Sequence, residues 1–295
     1  MHFSSITLVA RKSGPMVKRS LQAFMYFLQS HGYNFQVDIL TMSEHHLSDT
    51  TPVDFETIQD GLLICLGGDG SMLKLVQHAA NYQLPVLGVN LGKMGFLADL
   101  SINQSESLLA ILQGKYKICY RQLITASFEE NDTIKTIGPL LNEVTIHRTE
   151  LNKTLAYQIS VDDFPIASHH ADGVIVATPT GSSAYALSAG GPIVAPELQS
   201  HIIVPICSHK LTSRPLCLPA QNTIRIHLQS DEKRPATICG DGHLLHPLPP
   251  KSTVTIAASA KTLQLIHPLE YNFFATLKNK LHWEKTPHAE DANPK

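Results

Sequence analysis

Residues 62–74 read LLICLGGDGSMLK. An apolar run of strand length ends in three glycines around one carboxylate, and a helix-compatible segment then starts with Ser71 as a suitable N-cap and carries Leu73, Val76 and Ala80. Glycines permit positive φ and let a phosphate approach bare N–H groups, and a helix start adds positive potential. The stretch therefore predicts a buried strand, a turn that binds a phosphate-rich ligand, and a helix.

Asp69 is the unusual residue of this turn, because its negative charge would repel a bound phosphate. A carboxylate in an anion-binding loop is easier to explain as a base or a metal ligand than as scaffold. The alternative is a plain tight turn in which Asp69 only caps the next helix, a common use of Asp. The turn has neither the Gly-Lys-Ser/Thr end of a Walker A loop nor a GxGxxG pattern.

Length and composition indicate an ordinary globular protein. The chain has 295 residues, of which 43% are hydrophobic and 16% charged, so two domains are expected. The net charge of -2 and the scattered Lys and Arg residues favour neither nucleic acid nor an anionic membrane as a partner. Five cysteines without CxxC spacing are typical of a reduced, cytoplasmic protein. We expect neither a signal peptide nor a membrane span.

The order of predicted elements changes along the chain. In residues 1–120 strands and helices alternate with glycines at strand ends, which indicates an α/β domain with an open, mostly parallel sheet and a ligand at its carboxyl edge. In residues 121–267 prolines and polar turns separate short strand-like runs, which predicts a β-rich second domain. Helical spacing in residues 271–283 suggests that 268–290 completes the first domain, and 285–295 is expected to be a disordered tail.

A second functional cluster lies in residues 172–192, which read DGVIVATPTGSSAYALSAGGP. A buried-type strand runs into a loop of hydroxyl residues and glycine, and a short helix of small residues follows. Free N–H groups, hydroxyl donors and the Tyr185 ring could hold a base and its ribose or phosphate oxygens. The alternative is a well-capped buried helix whose small residues allow close packing.

Between these clusters, Asn142 and Glu143 interrupt an apolar strand pattern. A Glu in such a pattern is costly to bury unless it has a partner, so it could hold ribose hydroxyls or a metal. An edge-strand Glu that faces water is the equally simple alternative.

Taken together, these motifs resemble the NAD kinase family, which transfers a phosphoryl group from ATP to the 2′-hydroxyl of the adenosine ribose of NAD. The resemblance spans nearly the whole chain. The matching stretches are GGDG (67–70), NLGKMGFL (90–97), Asn142-Glu143, Asp172-Gly173, TPTGSSAY (178–185), LSAGGP (187–192) and HKLTSRPL (209–216).

The resemblance implies that Asp69 is the catalytic base that takes the proton from the ribose 2′-hydroxyl. It implies that Mg²⁺ acts together with ATP and that NAD is the acceptor substrate. It assigns no protein residue as a ligand of the metal. It assigns nucleotide contacts to Gly68, Gly70, Lys74, Asn90, Asn142, Glu143, Lys153, His170, Asp172, Ser182, Ser183, Ala184, Tyr185, Ala186, Leu187, Ser188 and His243.

Two residues depart from the family pattern. His170 stands where relatives often have Arg, so a phosphate contact would be lost or become pH-dependent. His243 replaces a frequent Gln, which could shift substrate affinity.

The family fold would be an α/β N-terminal domain and a β-sandwich-like C-terminal domain that binds the dinucleotide. The last helical segment would pack back on the first domain. Family members assemble as homodimers or homotetramers, so we expect a homo-oligomer.

Three other function classes bear on these motifs. A lipid or sphingoid kinase shares the Gly-Gly-Asp-Gly loop, but the sequence has no amphipathic basic stretch for approach to a membrane. A non-catalytic dinucleotide sensor would have the same pocket without phosphoryl transfer. A dehydrogenase is disfavoured because no GxGxxG follows a strand.

Overall fold

The structure is a computed structural model that describes residues 3–48, 50–92, 95–150, 153–229 and 236–281. Lys93 and Met94 of the NLGKMGFL stretch lie outside the described residues, as do the tail predicted at 285–295 and the last part of the 268–290 segment.

The strands follow one another along the chain as β1 (Ile6–Val9), β2 (Gln36–Asp38), β3 (Pro52–Val53), β4 (Leu62–Leu66), β5 (Pro85–Asn90), β6 (Leu100–Ser101), β7 (Lys117–Glu130), β8 (Thr133–Leu140), β9 (Glu143–Arg148), β10 (Leu155–Val161), β11 (Phe164–Ala171), β12 (Gly173–Ala177), β13 (Ser200–Ile206), β14 (Leu216–Pro219), β15 (Ile224–Leu228), β16 (Ala236–Gly240), β17 (Leu244–Leu248) and β18 (Thr253–His267). The helices are α1 (Pro15–Ser30), α2 (Ile39–His45), α3 (Asp69–Leu73), α4 (Val76–Tyr82), α5 (Ser105–Leu112), α6 (Tyr185–Ser188) and α7 (Phe273–Leu281), with 3₁₀ turns at Phe55–Thr57 and Thr180–Ser183.

The chain divides into two compact units. The first comprises Met1–Lys74, Leu84–Cys119 and Leu265–Lys295, of which the structure describes the last part only as far as residue 281. The second comprises Leu75–Gln83 and Tyr120–Gln264. The turn that carries Asp69 therefore belongs to the first unit, and the 172–192 cluster belongs to the second.

The first unit contains a parallel sheet in the order β3-β2-β1-β4-β5-β6. β4 lies between β1 and β5, and all five of its residues are buried, as the apolar run predicts. Because parallel strands end at the same sheet edge, the turns after β4 and β5 leave from one edge. This confirms the predicted α/β domain with a mostly parallel sheet.

The second unit is built from antiparallel strands. One sheet has the order β14-β13-β12-β9-β16-β17. Strands β11, β10, β15 and β18 pair in that order, and β7 pairs with both β18 and β8. One hydrophobic cluster includes Ile146 and Val174 of the first set and Tyr157, Ile226 and Val254 of the second. Two β-layers thus share a core, which confirms the β-rich, sandwich-like fold.

The segment after the glycine turn differs from the predicted single helix. α3 starts at Asp69 and ends at Leu73, and α4 starts only at Val76. The N-cap of α3 is Gly68, so the predicted N-cap role of Ser71 is wrong. Ser71 lies within the first turn instead, where its side chain is buried.

Candidate functional site

The Asp69 carboxylate is held by the backbone of the loop that follows β5. Oδ2 accepts a hydrogen bond from the Phe96 N–H at 2.8 Å, and Oδ1 accepts from the N–H groups of Leu97 and Ala98 at 3.0 and 3.2 Å. The N-cap of α3 is Gly68, and Asp69 is the first residue of the helix, so Asp69 is not the helix cap of the alternative interpretation. Asp69 is half-buried, and its carboxylate is fixed by contacts 27 to 29 residues away along the chain.

Gly95 allows this arrangement, because a Cβ there would lie 1.9 Å from Asp69 Oδ1. Gly88 of β5 also permits a close approach, since a Cβ added at this position would lie 2.8 Å from the Ala98 Cα and from the Leu97 carbonyl oxygen. Residues 95–98, here called the 95–98 segment, therefore pack closely against β5 and Asp69 at positions without side chains. Sequence reasoning assigned no role to Gly88.

The glycines of the Asp69 turn do not adopt the positive φ that the sequence analysis allowed for them. Gly67, Gly68 and Gly70 do not have positive φ. A Cβ on Gly67 would lie 2.5 Å from the Ser71 Oγ, so this glycine permits a close approach within the turn. Among the described residues, no atom lies within 4 Å of a Cβ added to Gly68 or Gly70, and both glycines are exposed. Their bare backbone is therefore accessible.

Lys74 and Asn90 are the other predicted site residues of the first unit. Lys74 is exposed at the end of α3, and its Nζ lies 3.5 Å from the Arg11 carbonyl oxygen. Asn90 is buried at the end of β5, where its Oδ1 accepts from the Gly92 N–H at 3.1 Å. The Asn90 amide oxygen thus closes the turn after β5.

In the second unit, Asp241 fixes the backbone around Asn142 and Glu143. Its Oδ1 accepts from the N–H groups of these two residues at 2.8 and 3.1 Å, and its Oδ2 accepts from the Leu141 N–H at 2.8 Å. Sequence reasoning singled out His243 in this turn and missed Asp241. The available signal was an Asp-Gly pair directly after a strand, a pattern typical of a tight turn.

Glu143 is a buried acid with an unpaired oxygen. The residue is 6% exposed, and within the described parts of the chain its Oε2 has no hydrogen-bond partner. It lies on β9, which is flanked by β12 and β16, so the edge-strand alternative is wrong. Burial, and after it the negative charge of Asp241, raises the pKa of Glu143 to about 8. At neutral pH the carboxyl group therefore keeps its proton and is available as a hydrogen-bond donor.

Glu143→Gln is expected to remove a pH-dependent part of the unfolding free energy. The Glu143 pKa rises from 4.5 to about 8 on folding. The stabilisation from this shift is complete below pH 4.5, the pKa in the unfolded chain, and is lost as the pH rises through about 8, the pKa in the folded protein. The loss in unfolding free energy is at most about 5 kcal/mol. Urea unfolding at several pH values should therefore show the variant gaining stability relative to the parent as the pH rises through this range. A difference that does not change with pH would contradict the shift.

The 178–188 loop packs directly on Asn142. The Thr178 N–H donates to the Asn142 carbonyl oxygen at 2.8 Å, and a Cβ on Gly181 would lie 2.1 Å from that oxygen. Ser182 is buried, and its Oγ donates to the Pro179 carbonyl oxygen at 2.6 Å and accepts from the Val194 N–H at 3.0 Å. The Ser182 hydroxyl group therefore holds the loop together, and the fold joins the two predicted clusters of this unit.

The rest of this loop combines buried and open positions. Ala186 is fully buried, while Ser183, Ala184 and Leu187 are half-buried and Ser188 is exposed. The Ser183 Oγ donates to the Thr180 carbonyl oxygen at 3.1 Å. Ala186 thus fits the interpretation of a closely packed helix of small residues. The exposed Ser188 leaves a polar group available to a ligand.

Tyr185 is 40% exposed and stacks on His147 with ring centroids 5.8 Å apart. Burial lowers the pKa of His147, and the charge of Asp172 opposes this effect only in part. The ring is therefore neutral at physiological pH. Sequence reasoning missed His147, although period-two alternation along β9 places it on the same face as Glu143.

Asp172 is paired with a residue that sequence reasoning also missed. The Arg148 Nε donates to Asp172 Oδ1 at 2.7 Å, and both side chains remain partly exposed. Lys153 forms an ion pair with Glu150 at 2.6 Å.

The two departures from the family pattern both lie at the surface. His170 is exposed at the end of β11. His243 is also exposed, and its Nδ1 lies 2.9 Å from the Asp241 carbonyl oxygen.

The predicted site residues thus form two groups, one in each unit. Across the described ranges, no group of three or more His, Cys, Asp or Glu side chains is arranged to hold a metal ion. Within these same ranges, no helix has the length and apolar character needed to cross a membrane.

Comparisons with known proteins identify the family of the chain. The sequence profile of the ATP-NAD kinase N-terminal domain matches residues 25–116, and that of the ATP-NAD kinase C-terminal domain matches residues 141–268. An NAD kinase of Photorhabdus laumondii is 34% identical over 96% of this chain and 98% of its own length. An NAD kinase of Coxiella burnetii is 36% identical over 96% of this chain and 95% of its own length.

Solved structures show the same fold. A crystal structure of yeast NADH kinase complexed with NADH has a TM-score of 0.85 and 24% identity, and the match covers 96% of this chain and 88% of that one. An NAD kinase from Archaeoglobus fulgidus in complex with ATP has a TM-score of 0.72 and 21% identity, covering 94% and 98% of the two chains. Together with the domain profiles and the full-length relatives, these results show that the chain belongs to the ATP-NAD kinase family.

Proposed function

We propose that Asp69 is the general base of an ATP-dependent phosphorylation of NAD at the 2′-hydroxyl of its adenosine ribose, which gives NADP and ADP. Membership of the ATP-NAD kinase family supports the reaction. The observation that carries the role of Asp69 is its carboxylate, which three backbone N–H groups hold in one orientation.

The same hydrogen bonds indicate which oxygen acts. A carboxylate oxygen has about two acceptor positions, and both positions of Asp69 Oδ1 are taken by the Leu97 and Ala98 N–H groups. Oδ2 accepts only from Phe96 among these donors and keeps one position. Oδ2 is therefore the oxygen that receives the ribose proton.

In the phosphoryl transfer, loss of the ribose proton is coupled to formation of the new O2′–phosphorus bond. The ribose O2′ bonds to the γ-phosphorus of ATP, the bond from that phosphorus to the bridging oxygen breaks, and ADP leaves with the bond electrons. Because the transition state is loose, the hydroxyl proton moves to Asp69 only as the O2′–phosphorus bond forms. General-base help of this kind contributes roughly 10²–10⁴-fold. Alignment of the substrates would supply the remainder, together with Mg²⁺ bound with ATP, which would neutralise charge on the triphosphate.

The second unit contributes residues that bind NAD. The protonated Glu143 carboxyl group is buried with an unpaired oxygen, so a ribose hydroxyl is a suitable partner for it. Asn142 is fixed beside it by Asp241. Tyr185 offers a partly exposed ring for stacking on a base, and Asp172, oriented by Arg148, offers a carboxylate acceptor.

We also propose that the chain forms homodimers or homotetramers in the cytoplasm. Phe164 is 71% exposed and Ile166 is 40% exposed on β11, which lies at the end of its strand order. An apolar edge strand of this kind is typical of a surface that pairs with another chain. The five cysteines form no disulfide bond, which supports a reducing compartment.

Incubation with ATP, Mg²⁺ and NAD is expected to form NADP and ADP in equal amounts. NADP is measured with an NADP-specific dehydrogenase, and reactions without ATP or without Mg²⁺ serve as controls. Binding of NAD without formation of NADP would identify a dinucleotide sensor. Phosphorylation of a sphingoid base, but not of NAD, would identify a lipid kinase. Either result would overturn the proposed reaction.

A further inference from the structure

A buried histidine holds the residue that follows the 95–98 segment. His267, the last residue of β18, is fully buried, and its Nδ1 lies 3.0 and 3.1 Å from the two oxygens of Asp99. The Asp99 side chain is itself only 8% exposed. Because a carboxylate can only accept hydrogen bonds, the Nδ1–H of His267 is the donor. The imidazole ring also stacks on Tyr271, with ring centroids 3.8 Å apart.

Asp99 follows directly on the backbone that holds the proposed base. The N–H groups of Phe96, Leu97 and Ala98 bind the Asp69 carboxylate, and Asp99 is the next residue. At the other end of this stretch, the Lys280 Nζ lies 5.6 Å from the centroid of the Phe96 ring. The part of the chain after residue 265 thus approaches the side chains at both ends of the 96–99 stretch, Phe96 and Asp99.

We propose that His267 is a positioning residue for phosphoryl transfer, because its bond to Asp99 fixes the three N–H donors that orient Asp69. The inference rests on the proposed role of Asp69 as the base. A buried carboxylate without a donor is costly, so Asp99 turns towards water when the bond is absent and carries the adjoining backbone with it. The donors at Phe96, Leu97 and Ala98 then shift, and Asp69 shifts with them.

Two substitutions separate the hydrogen bond from the packing of the ring. His267→Phe keeps an aromatic ring for the stack on Tyr271 but removes the donor. His267→Asn loses the ring but places an amide N–H near the position of Nδ1. A displacement of about 1 Å at a reacting group costs about 10²-fold, so we expect His267→Phe to lower kcat by about this factor. KM for ATP and for NAD should remain near the parent values, and His267→Asn should restore much of kcat.

A matched control and a second variant complete the test. His45 is also buried in the first unit and lies in α2, which contacts β2 and β3, so His45→Phe is expected to keep the parent kcat. Asp99→Asn keeps the side-chain shape and weakens the bond by removing its charge, and it is expected to lower kcat even if His267→Phe fails to fold. In an Asp69→Asn background, His267→Phe should cause no further loss of kcat.

The outcomes distinguish the inference from the function on which it rests. Near-normal turnover of Asp69→Asn would overturn the role of Asp69. If Asp69→Asn loses turnover but Asp99→Asn or a folded His267→Phe keeps the parent kcat, only the positioning role is overturned. Equal loss in His267→Phe and His267→Asn would show a packing role and would also overturn it, as would a comparable loss in His45→Phe.

Discussion

Asp69→Asn is expected to bind NAD like the parent but to lose turnover by at least about 10²–10⁴-fold, the usual contribution of a general base. The amide keeps the shape of the side chain, and its oxygen can still accept from Leu97 and Ala98. Its NH₂ group faces the Phe96 N–H and cannot take the ribose proton. NAD binding by calorimetry and kcat by NADP formation measure the two effects separately.

Asp54→Asn is the matched control for this variant. Asp54 is exposed in the same unit, and its carboxylate accepts from the Glu56 N–H at 3.1 Å. The same chemical change there should leave turnover unaltered. A titration with Mg²⁺ tests the alternative role as a metal ligand, because excess metal would then restore activity to Asp69→Asn. Near-normal turnover of Asp69→Asn would remove the assignment of the base.

Gly95→Ala is expected to lower kcat by about 10²-fold without any change to a polar group. The new Cβ would lie 1.9 Å from Asp69 Oδ1, so the carboxylate must leave its three donors or the 95–98 segment must move. Either movement displaces the base. KM for NAD should change little, because Asn142, Glu143 and the 178–188 loop belong to the second unit.

Gly92→Ala provides the comparison in the same loop. A Cβ at Gly92 meets no atom within 4 Å in the part of the chain that the structure describes, so this variant should keep the parent kcat. Thermal unfolding of both variants shows whether the loss is one of stability or of turnover. If Gly95→Ala retains full turnover, the close contact with Asp69 does not matter for catalysis.

Local sequence predicted the buried strand before the Asp69 turn and the β-rich region well. The apolar run at 62–66 is a fully buried strand of a parallel sheet, and the 121–267 region is β-rich, as expected. The helix after the turn was predicted less well, since it breaks at Lys74 and Leu75. The glycines at Gly67, Gly68 and Gly70 also avoid positive φ. A glycine in a sequence can allow either a positive φ or a close approach of neighbouring atoms. Only its surroundings in the structure show which of the two applies.

The sequence by itself determined the change from an α/β region to a β-rich region, the two clusters of motifs and, through the order of the motifs, the family. These features depend on periodicity and spacing over a few residues. The tertiary structure alone decided what holds each functional side chain. Asp69 meets backbone 27 to 29 residues away, Asp241 meets Leu141 across 100 residues, and His267 meets Asp99 across 168. Such contacts depend on how distant segments pack, and no local pattern encodes that packing.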